Sequence, residues 1–148
     1  MPSTHLSLHY HLVFSTKARR PLIHESWRQR LHAYLGGTGR ELGGIARAVG
    51  GTHDHVHLLV DLRAQHSLAV VMRELKHSSS RRVHETPRVR DFTGQTGYGA
   101  VTVSPSAIEP VLRYIAKQVE HHRKRTFQEE YLDLLQQSGV RFDERYLW

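Results

Sequence analysis

The sequence predicts an α+β fold: a ferredoxin-like sandwich built on a four-stranded antiparallel sheet, with extra helices at the C-terminal end. Three observations point there. Apolar segments of strand and helix period follow one another in the order βαββαβ, and two further helical segments come after them. Glycine pairs, Gly43-Gly44 and Gly50-Gly51, punctuate the boundaries. No repeat, low-complexity tract or linker divides the 148 residues, so residues 1–148 read as a single domain, long enough to bury its own core.

Residues 5–14 alternate. Leu6, Leu8, Tyr10, Leu12 and Phe14 take one face, and His5, Ser7, His9, His11 and Val13 the other, as in a strand packed on one side. A basic turn, Lys17-Ala18-Arg19-Arg20-Pro21, leads to a helix from residue 25 to 34 or beyond, with Trp27, Leu31, Tyr34 and Leu35 as its stripe. Gly36, Gly37 and Gly39 are expected to interrupt it, and Gly43-Gly44 to end it. Residues 45–49 form the second strand, Gly50-Gly51 a hairpin-like turn, and residues 55–62 the third strand. Ser67 can cap a helix reaching residue 85, with Leu68, Val71, Met72, Leu75 and Val83 inward. Residues 86–97, containing Pro87, Gly94 and Gly97, read as an exposed loop before a fourth strand over 98–103. Ser106 with Glu109 has the pattern of a capping box for a helix with Ile108, Leu112, Ile115 and Val119 at core spacing. A second box, Thr126 with Glu129, opens a terminal helix that Gly139 closes.

Composition narrows the classes of function. With 39% hydrophobic and 24% charged residues, the balance is that of an ordinary globular chain. Twenty-one Lys and Arg against fourteen Asp and Glu leave a net charge of +7, which favours a polyanionic partner. The absence of cysteine excludes disulfides, thiolate zinc sites and cysteine nucleophiles. No segment approaches the roughly 20 apolar residues that span a bilayer, and the first twenty residues lack a signal-peptide core, so no membrane association and a cytoplasmic location are expected.

The chemistry concentrates in two motifs. In His53-Asp54-His55-Val56-His57-Leu58-Leu59-Val60, strand alternation sets His55 and His57 side by side while Val56 turns into the core. Two such imidazoles can hold one metal ion, although thirteen histidines make a bare His-x-His pair a weak signal. His53 is in phase with them as a third ligand or phosphate donor, or sits in the turn with no role. Asp54 points away in a regular strand, or bends round to accept from an imidazole N–H. In Tyr114-Ile115-Ala116-Lys117-Gln118, residues four apart share a helix face, so a phenol and an amide oxygen project together. His121 or His122, one turn on, can extend this polar surface, and His122 shares the i, i+4 spacing with Gln118, but exposure is the expectation for both.

Basic residues cluster beside both motifs. Arg63, Arg73, Lys76, Arg81, Arg82, Arg88 and Arg90 outnumber Glu74 and Glu85, and Arg113, Lys117, Arg123, Lys124 and Arg125 outnumber Glu120. Each run alone reads as a solvated helix face; two of them flanking a histidine pair read as a nucleic-acid groove. Phe92 and Tyr98 are the candidate stacking partners for unpaired bases.

Together these residues resemble a known family, the small HUH single-strand tyrosine transposases of bacterial insertion sequences and the related repeat-associated tyrosine transposases. The resemblance runs through Tyr10-His11-Leu12-Val13-Phe14-Ser15-Thr16-Lys17 with Arg19-Arg20-Pro21, then Asp54-His55-Val56-His57-Leu58-Leu59. It continues in Gln95-Thr96-Gly97-Tyr98-Gly99 leading to Val103-Ser104, Tyr114-Ile115-Ala116-Lys117-Gln118, and Asp143-Glu144-Arg145-Tyr146-Leu147-Trp148. It implies that His55, His57 and Gln118 bind a divalent ion, Mg²⁺ or Mn²⁺. It implies that Tyr114 attacks a phosphodiester of hairpin-bearing single-stranded DNA, leaving a 5′-phosphotyrosine and a free 3′-hydroxyl. It further implies a homodimer, in which the tyrosine helix can serve the partner's histidine pair. Two positions depart from the family pattern: His53 replaces a usual proline, and Gly94 a frequent tryptophan.

Two other readings compete. A histidine-triad nucleotide hydrolase would use the alternation of His53, His55 and His57, but gives no reason for Tyr114 with Gln118. A non-catalytic nucleic-acid-binding module explains charge and fold while leaving the histidine pair an accident.

Overall fold

A computed structural model describes residues 3–85, 89, 92–95 and 97–147. Arg88, Arg90, Pro87, Thr96 and Trp148, which figured in the sequence reading, lie outside the described residues. The elements run β1 (His9–Ser15), α1 (Glu25–Glu41), β2 (Ile45–Gly51), β3 (His55–Asp61), α2 (Leu68–Glu85), β4 (Gly99–Thr102), α3 (Ile108–Ala116), α4 (Gln118–His121) and α5 (Phe127–Gln137). The sheet order is β2-β3-β1-β4 with every neighbouring pair antiparallel, as a ferredoxin-like sandwich requires.

Strand alternation gives the sheet two unlike faces. Leu12, Phe14, Val56, Leu58 and Val60 point to one face and form a single core with Trp27, Leu31 and Leu35 of α1 and Val71, Met72 and Leu75 of α2. On the other face, Leu59 packs with Val103 and Ile115, and Val13 packs with Phe127, Tyr131 and Leu135 of α5. Helices α3 to α5 therefore cover the face that carries His11, His55 and His57.

Several expectations are corrected. Helix α1 runs unbroken through Gly36, Gly37 and Gly39, because Gly36 and Gly39 are buried against Ala46 and tertiary packing outweighs their poor propensity. Gly50 and Gly51 belong to β2, and the turn falls at residues 52–54. Gly50 is required by a close approach: a Cβ there would collide with the carbonyl of Ile115, so α3 rests directly on the β2 backbone. β1 begins only at His9, leaving Leu6 53% exposed. The box of Ser106 and Glu109 does not form. A 3-10 turn over Pro105–Ala107 precedes α3, and no side chain caps either start. Thr126 does cap α5, its Oγ1 accepting from the Glu129 backbone N–H at 3.2 Å, and the Glu129 carboxylate meets the Thr126 hydroxyl at 3.2 Å. Phe92, expected to meet bases, is only 2% exposed and packs edge-on against Trp27. Tyr98 stays at the surface beside the Lys76 ammonium.

Among the described residues, no helix is long and apolar enough to cross a membrane.

Candidate active site

β3 sets His55 and His57 on one face with ring centroids 5.0 Å apart, and both are fully buried. Helix α3 brings Tyr114 over this pair, 5.6 Å from the His57 ring centroid. The helix does not continue to Gln118. It breaks at Lys117, whose ψ of 22° departs from helical geometry, and α4 restarts beyond it. That break turns Val119 outward, 50% exposed rather than in the core, and aims Gln118 inward. The i, i+4 pair thus converges although it straddles a kink. Gln118 Oε1 lies 2.9 Å from His55 Nε2.

The residue at the centre is one that sequence reasoning missed. Glu130 of α5 is 3% exposed, with Oε1 2.8 Å from His57 Nε2 and Oε2 accepting from the Tyr114 hydroxyl and, at 3.3 Å, from Gln118 Nε2. His122 Nε2 lies 3.2 Å from the same carboxylate, and His55, His122 and Glu130 offer ligand atoms all within 4.8 Å of one another. The expectation that His121 and His122 are exposed is therefore corrected: His122 is largely buried inside the cluster and His121 half-buried at its rim. A signal for Glu130 existed. On α5 the apolar positions 127, 131, 134 and 135 define an inward face, and 130 lies within it. A carboxylate on an apolar face has to be paired.

Neighbours orient the ligand groups. Asp54 bends round, and His55 Nδ1 donates to its Oδ1 at 2.8 Å, which fixes the ring with Nε2 facing inward. His11 of β1 supports His57, with His11 Nε2 2.8 Å from His57 Nδ1. His53 has a 58% exposed side chain in the turn and takes no part in the cluster, so the three-histidine alternation of a triad hydrolase is not assembled.

Electrostatics follow from burial. Removal from water would raise the Glu130 carboxyl, but hydrogen bonds with His122, His57 and Tyr114 hold it well below the usual carboxylate range. Burial lowers His57 to about 4 despite Glu130, and burial with the neighbouring His57 lowers His11 to about 3. Both are neutral near pH 7. His122 is raised: burial pulls it down, but its hydrogen bond to Glu130, the charge of that carboxylate, the Arg125 carbonyl and the Asp54 charge together outweigh burial. Burial and the Glu130 carboxylate push the Tyr114 phenol well above its usual 10.0.

A cavity of about 270 Å³ opens onto Tyr114 and Glu130, and a second of about 440 Å³ beside it is lined by Lys117, Arg123, Lys124 and Arg125. Arg125 lines both. A third cavity, about 500 Å³, lies elsewhere, between α2 and the segment of Thr93, Gly94 and Tyr98, with Arg73, Lys76 and His77 also on its walls.

The Gln95 and Gly99 of the sequence motif are structural. Ser15 N donates to Gln95 Oε1 at 2.6 Å, while a Cβ at Gly99 would meet the Tyr131 hydroxyl at 2.7 Å, so the motif lets α5 close over the sheet.

A family model described as "Transposase IS200 like" matches residues 4–118, a span holding His55, His57, Tyr114 and Gln118. The chain belongs to the IS200-like transposase family. Among solved structures it is similar to a candidate transposase from Deinococcus radiodurans R1, with a TM-score of 0.63 and 24% identity over 80% of this chain and 96% of that one. It is also similar to a REP-associated tyrosine transposase bound to a REP hairpin, with a TM-score of 0.60 and 13% identity over 82% of this chain and 74% of the other. At these identities the two likenesses bear on the fold alone, and they match its four-stranded antiparallel sheet with helices. No curated protein matches the sequence.

The donor set suits a divalent ion. His55 Nε2 lies 2.9 Å from Gln118 Oε1 and 3.6 Å from Glu130 Oε1, and His57 Nε2 lies 2.8 Å from the same carboxylate oxygen. Imidazole nitrogens with amide and carboxylate oxygens are donors that a divalent ion accepts.

Proposed function

We propose that this chain is a single-domain enzyme, residues 1–148, which cleaves and rejoins single-stranded DNA through a 5′-phosphotyrosine on Tyr114. The observation that carries this reading is the meeting of Tyr114, His55, His57 and Gln118 in one cluster, onto which a cavity opens beside a second, basic one.

The residues divide the work. His55, His57 and Gln118 would hold Mg²⁺ or Mn²⁺, which when bound supplies a positive charge that polarises the scissile phosphate and stabilises the leaving 3′-oxygen. Tyr114 supplies the nucleophile: its oxygen forms a bond to phosphorus as the bond to the 3′-oxygen breaks, and its proton leaves toward the Glu130 oxygen that already accepts it. The free 3′-hydroxyl takes a proton in return. Because the phosphotyrosine keeps the energy of the phosphodiester, reversing the attack with another 3′-hydroxyl rejoins strands without ATP. Arg125 and Lys117 line the approach and attract the strand, while the basic wall of α2, with Arg73 and Lys76, offers a second surface for a DNA hairpin. The hairpin-bound relative supports hairpin DNA as the substrate class.

Tyr114 reaches the histidine pair of its own chain, which supports cleavage within one subunit, while the homodimer implied by the family resemblance allows the tyrosine helix to serve the partner's pair. Mixing Tyr114→Phe with His57→Ala subunits tests this: no recovery of cleavage is expected, and recovery would mean that subunits exchange tyrosine helices.

Incubation with hairpin-bearing single-stranded DNA and Mn²⁺ is expected to yield a covalent adduct that Tyr114→Phe abolishes. Binding without an adduct would identify a passive nucleic-acid binder, and metal-free cleavage of small nucleotides a triad hydrolase.

A further inference from the structure

Neither the histidine pair nor the spacing of Tyr114 and Gln118 calls for a carboxylate, yet α5 delivers one between them. Its two oxygens face different partners. Glu130 Oε1 lies 2.8 Å from His57 Nε2 and 3.6 Å from His55 Nε2, while Oε2 accepts from the Tyr114 hydroxyl and faces His122 Nε2 at 3.2 Å. Glu130 is buried, and Phe127 and Tyr131, on the same inward face of α5, anchor the helix against the sheet.

We propose that Glu130 is an additional ligand of the divalent ion and, through its second oxygen, the group that sets Tyr114 beside that ion. This rests on the metal-site reading of His55 and His57 given above.

The lone pairs argue for it. His55 turns Nδ1 to Asp54 Oδ1 at 2.8 Å and so aims Nε2 at Gln118 Oε1, 2.9 Å away, and Glu130 Oε1, 3.6 Å away. One nitrogen and two oxygens thus meet in a buried site, a donor set that can close on a cation. His57 now donates from Nε2 to Glu130. Moving that proton to Nδ1 frees the Nε2 lone pair without changing the charge of the ring, provided His11 shifts its own proton from Nε2 to Nδ1 and turns from donor to acceptor across the 2.8 Å contact. His57 and Glu130 Oε1 then both turn lone pairs to one point. The resulting set of two nitrogens and two oxygens, one of them anionic, is harder than a bare histidine pair and shifts preference toward Mn²⁺ and Mg²⁺. A single carboxylate also leaves the occupied site net positive, as a phosphate requires.

The test uses the full-length chain without DNA first. Mn²⁺ affinity is read from the electron paramagnetic resonance signal of free Mn²⁺ in wild type, Glu130→Gln, Glu130→Ala and Tyr114→Phe, with circular dichroism confirming the fold. Glu130→Gln is expected to weaken Mn²⁺ binding by more than about tenfold, while Tyr114→Phe binds as wild type does. Affinity within about twofold of wild type in a folded Glu130→Gln protein would overturn the ligand role. If Glu130→Ala melts early, the isosteric Gln variant decides. A second readout addresses positioning: with Mn²⁺ raised until each protein is saturated, single-turnover adduct formation is expected to stay slow in Glu130→Ala. Full recovery at saturation would overturn the positioning role. A wild-type protein that binds no Mn²⁺ sinks the metal-site reading itself, whereas wild-type binding matched by Glu130→Gln sinks only this inference.

Discussion

The two faces of the sheet are built from the same strands and serve opposite ends. Toward α1 and α2, Leu12, Phe14, Val56, Leu58 and Val60 join one continuous apolar cluster. Toward α3 to α5, apolar contact is split into a patch around Leu59 and a patch around Val13, and His11, His55, His57, Gln118 and Glu130 fill the gap between them. Alternating residues of one strand therefore divide stability from chemistry: Leu58 belongs to the first and its neighbour His57 to the second.

Adjacent substitutions probe this division most sharply. His57→Ala is expected to cut adduct formation by roughly a hundredfold or more, the equivalent of about 3 kcal/mol of transition-state stabilisation. Chelation of divalent ions should have a loss of the same order. Leu58→Ala should do the reverse, lowering stability by about 2–5 kcal/mol in a denaturant titration while the folded fraction still forms adduct. Equal damage to both properties from both variants would erase the distinction.

Gly50→Val tests how the chemical face is attached. A side chain there displaces the Ile115 carbonyl and so lifts α3 from β2. The expected cost is about 1–3 kcal/mol of stability. Adduct formation should fall further than stability explains, because Tyr114 rides on α3, and hairpin binding measured by gel shift should persist.

Acid should weaken the same face. In the metal-free protein, His57 at about 4 and His11 at about 3 lie below their usual 6.5, so the unfolded chain takes up protons first and stability falls as pH drops below about 6.5. Glu130, depressed from 4.5, adds a further loss once pH falls below that value. His122 acts oppositely, since its raised pKa contributes stability that is complete below 6.5 and lost as pH rises through the folded value. The net expectation is a Tm that declines steadily from pH 7 to 4. A flat profile would contradict the buried neutral imidazoles.

The smallest effect belongs to the cap of α5. Thr126→Ala removes the acceptor for the Glu129 N–H and should cost about 1 kcal/mol by thermal melting, with a modest drop in adduct as Glu130 loosens.

The apolar face was readable from the sequence because strand period and helix period each leave a clear trace there. Val56, Leu58 and Val60 alternate, and Leu31, Leu35, Met72 and Leu75 repeat at helical spacing. The histidine pair and Tyr114 with Gln118 were readable for the same reason, as local spacings. What escaped depends on long-range closure. The kink at Lys117 sends Val119 out and Gln118 in, and α5 folds back so that Glu130 meets residues 73 positions earlier in the chain. Periodicity reports which face of a helix is buried, not what it is buried against. Phe92 misled for a related reason: an aromatic in a loop-like segment looks available until Trp27 is found packed on it.

The central claim is that the Tyr114 phenol becomes bonded to DNA while His55 and His57 hold the metal beside it. Mass spectrometry of protein digested after reaction with hairpin-bearing single-stranded DNA and Mn²⁺ tests it directly. The account predicts a nucleotide joined through its 5′-phosphate to the peptide containing Tyr114, and no such peptide when His57 is alanine. A nucleotide found on a histidine, or on another tyrosine with Tyr114 unmodified, would contradict it.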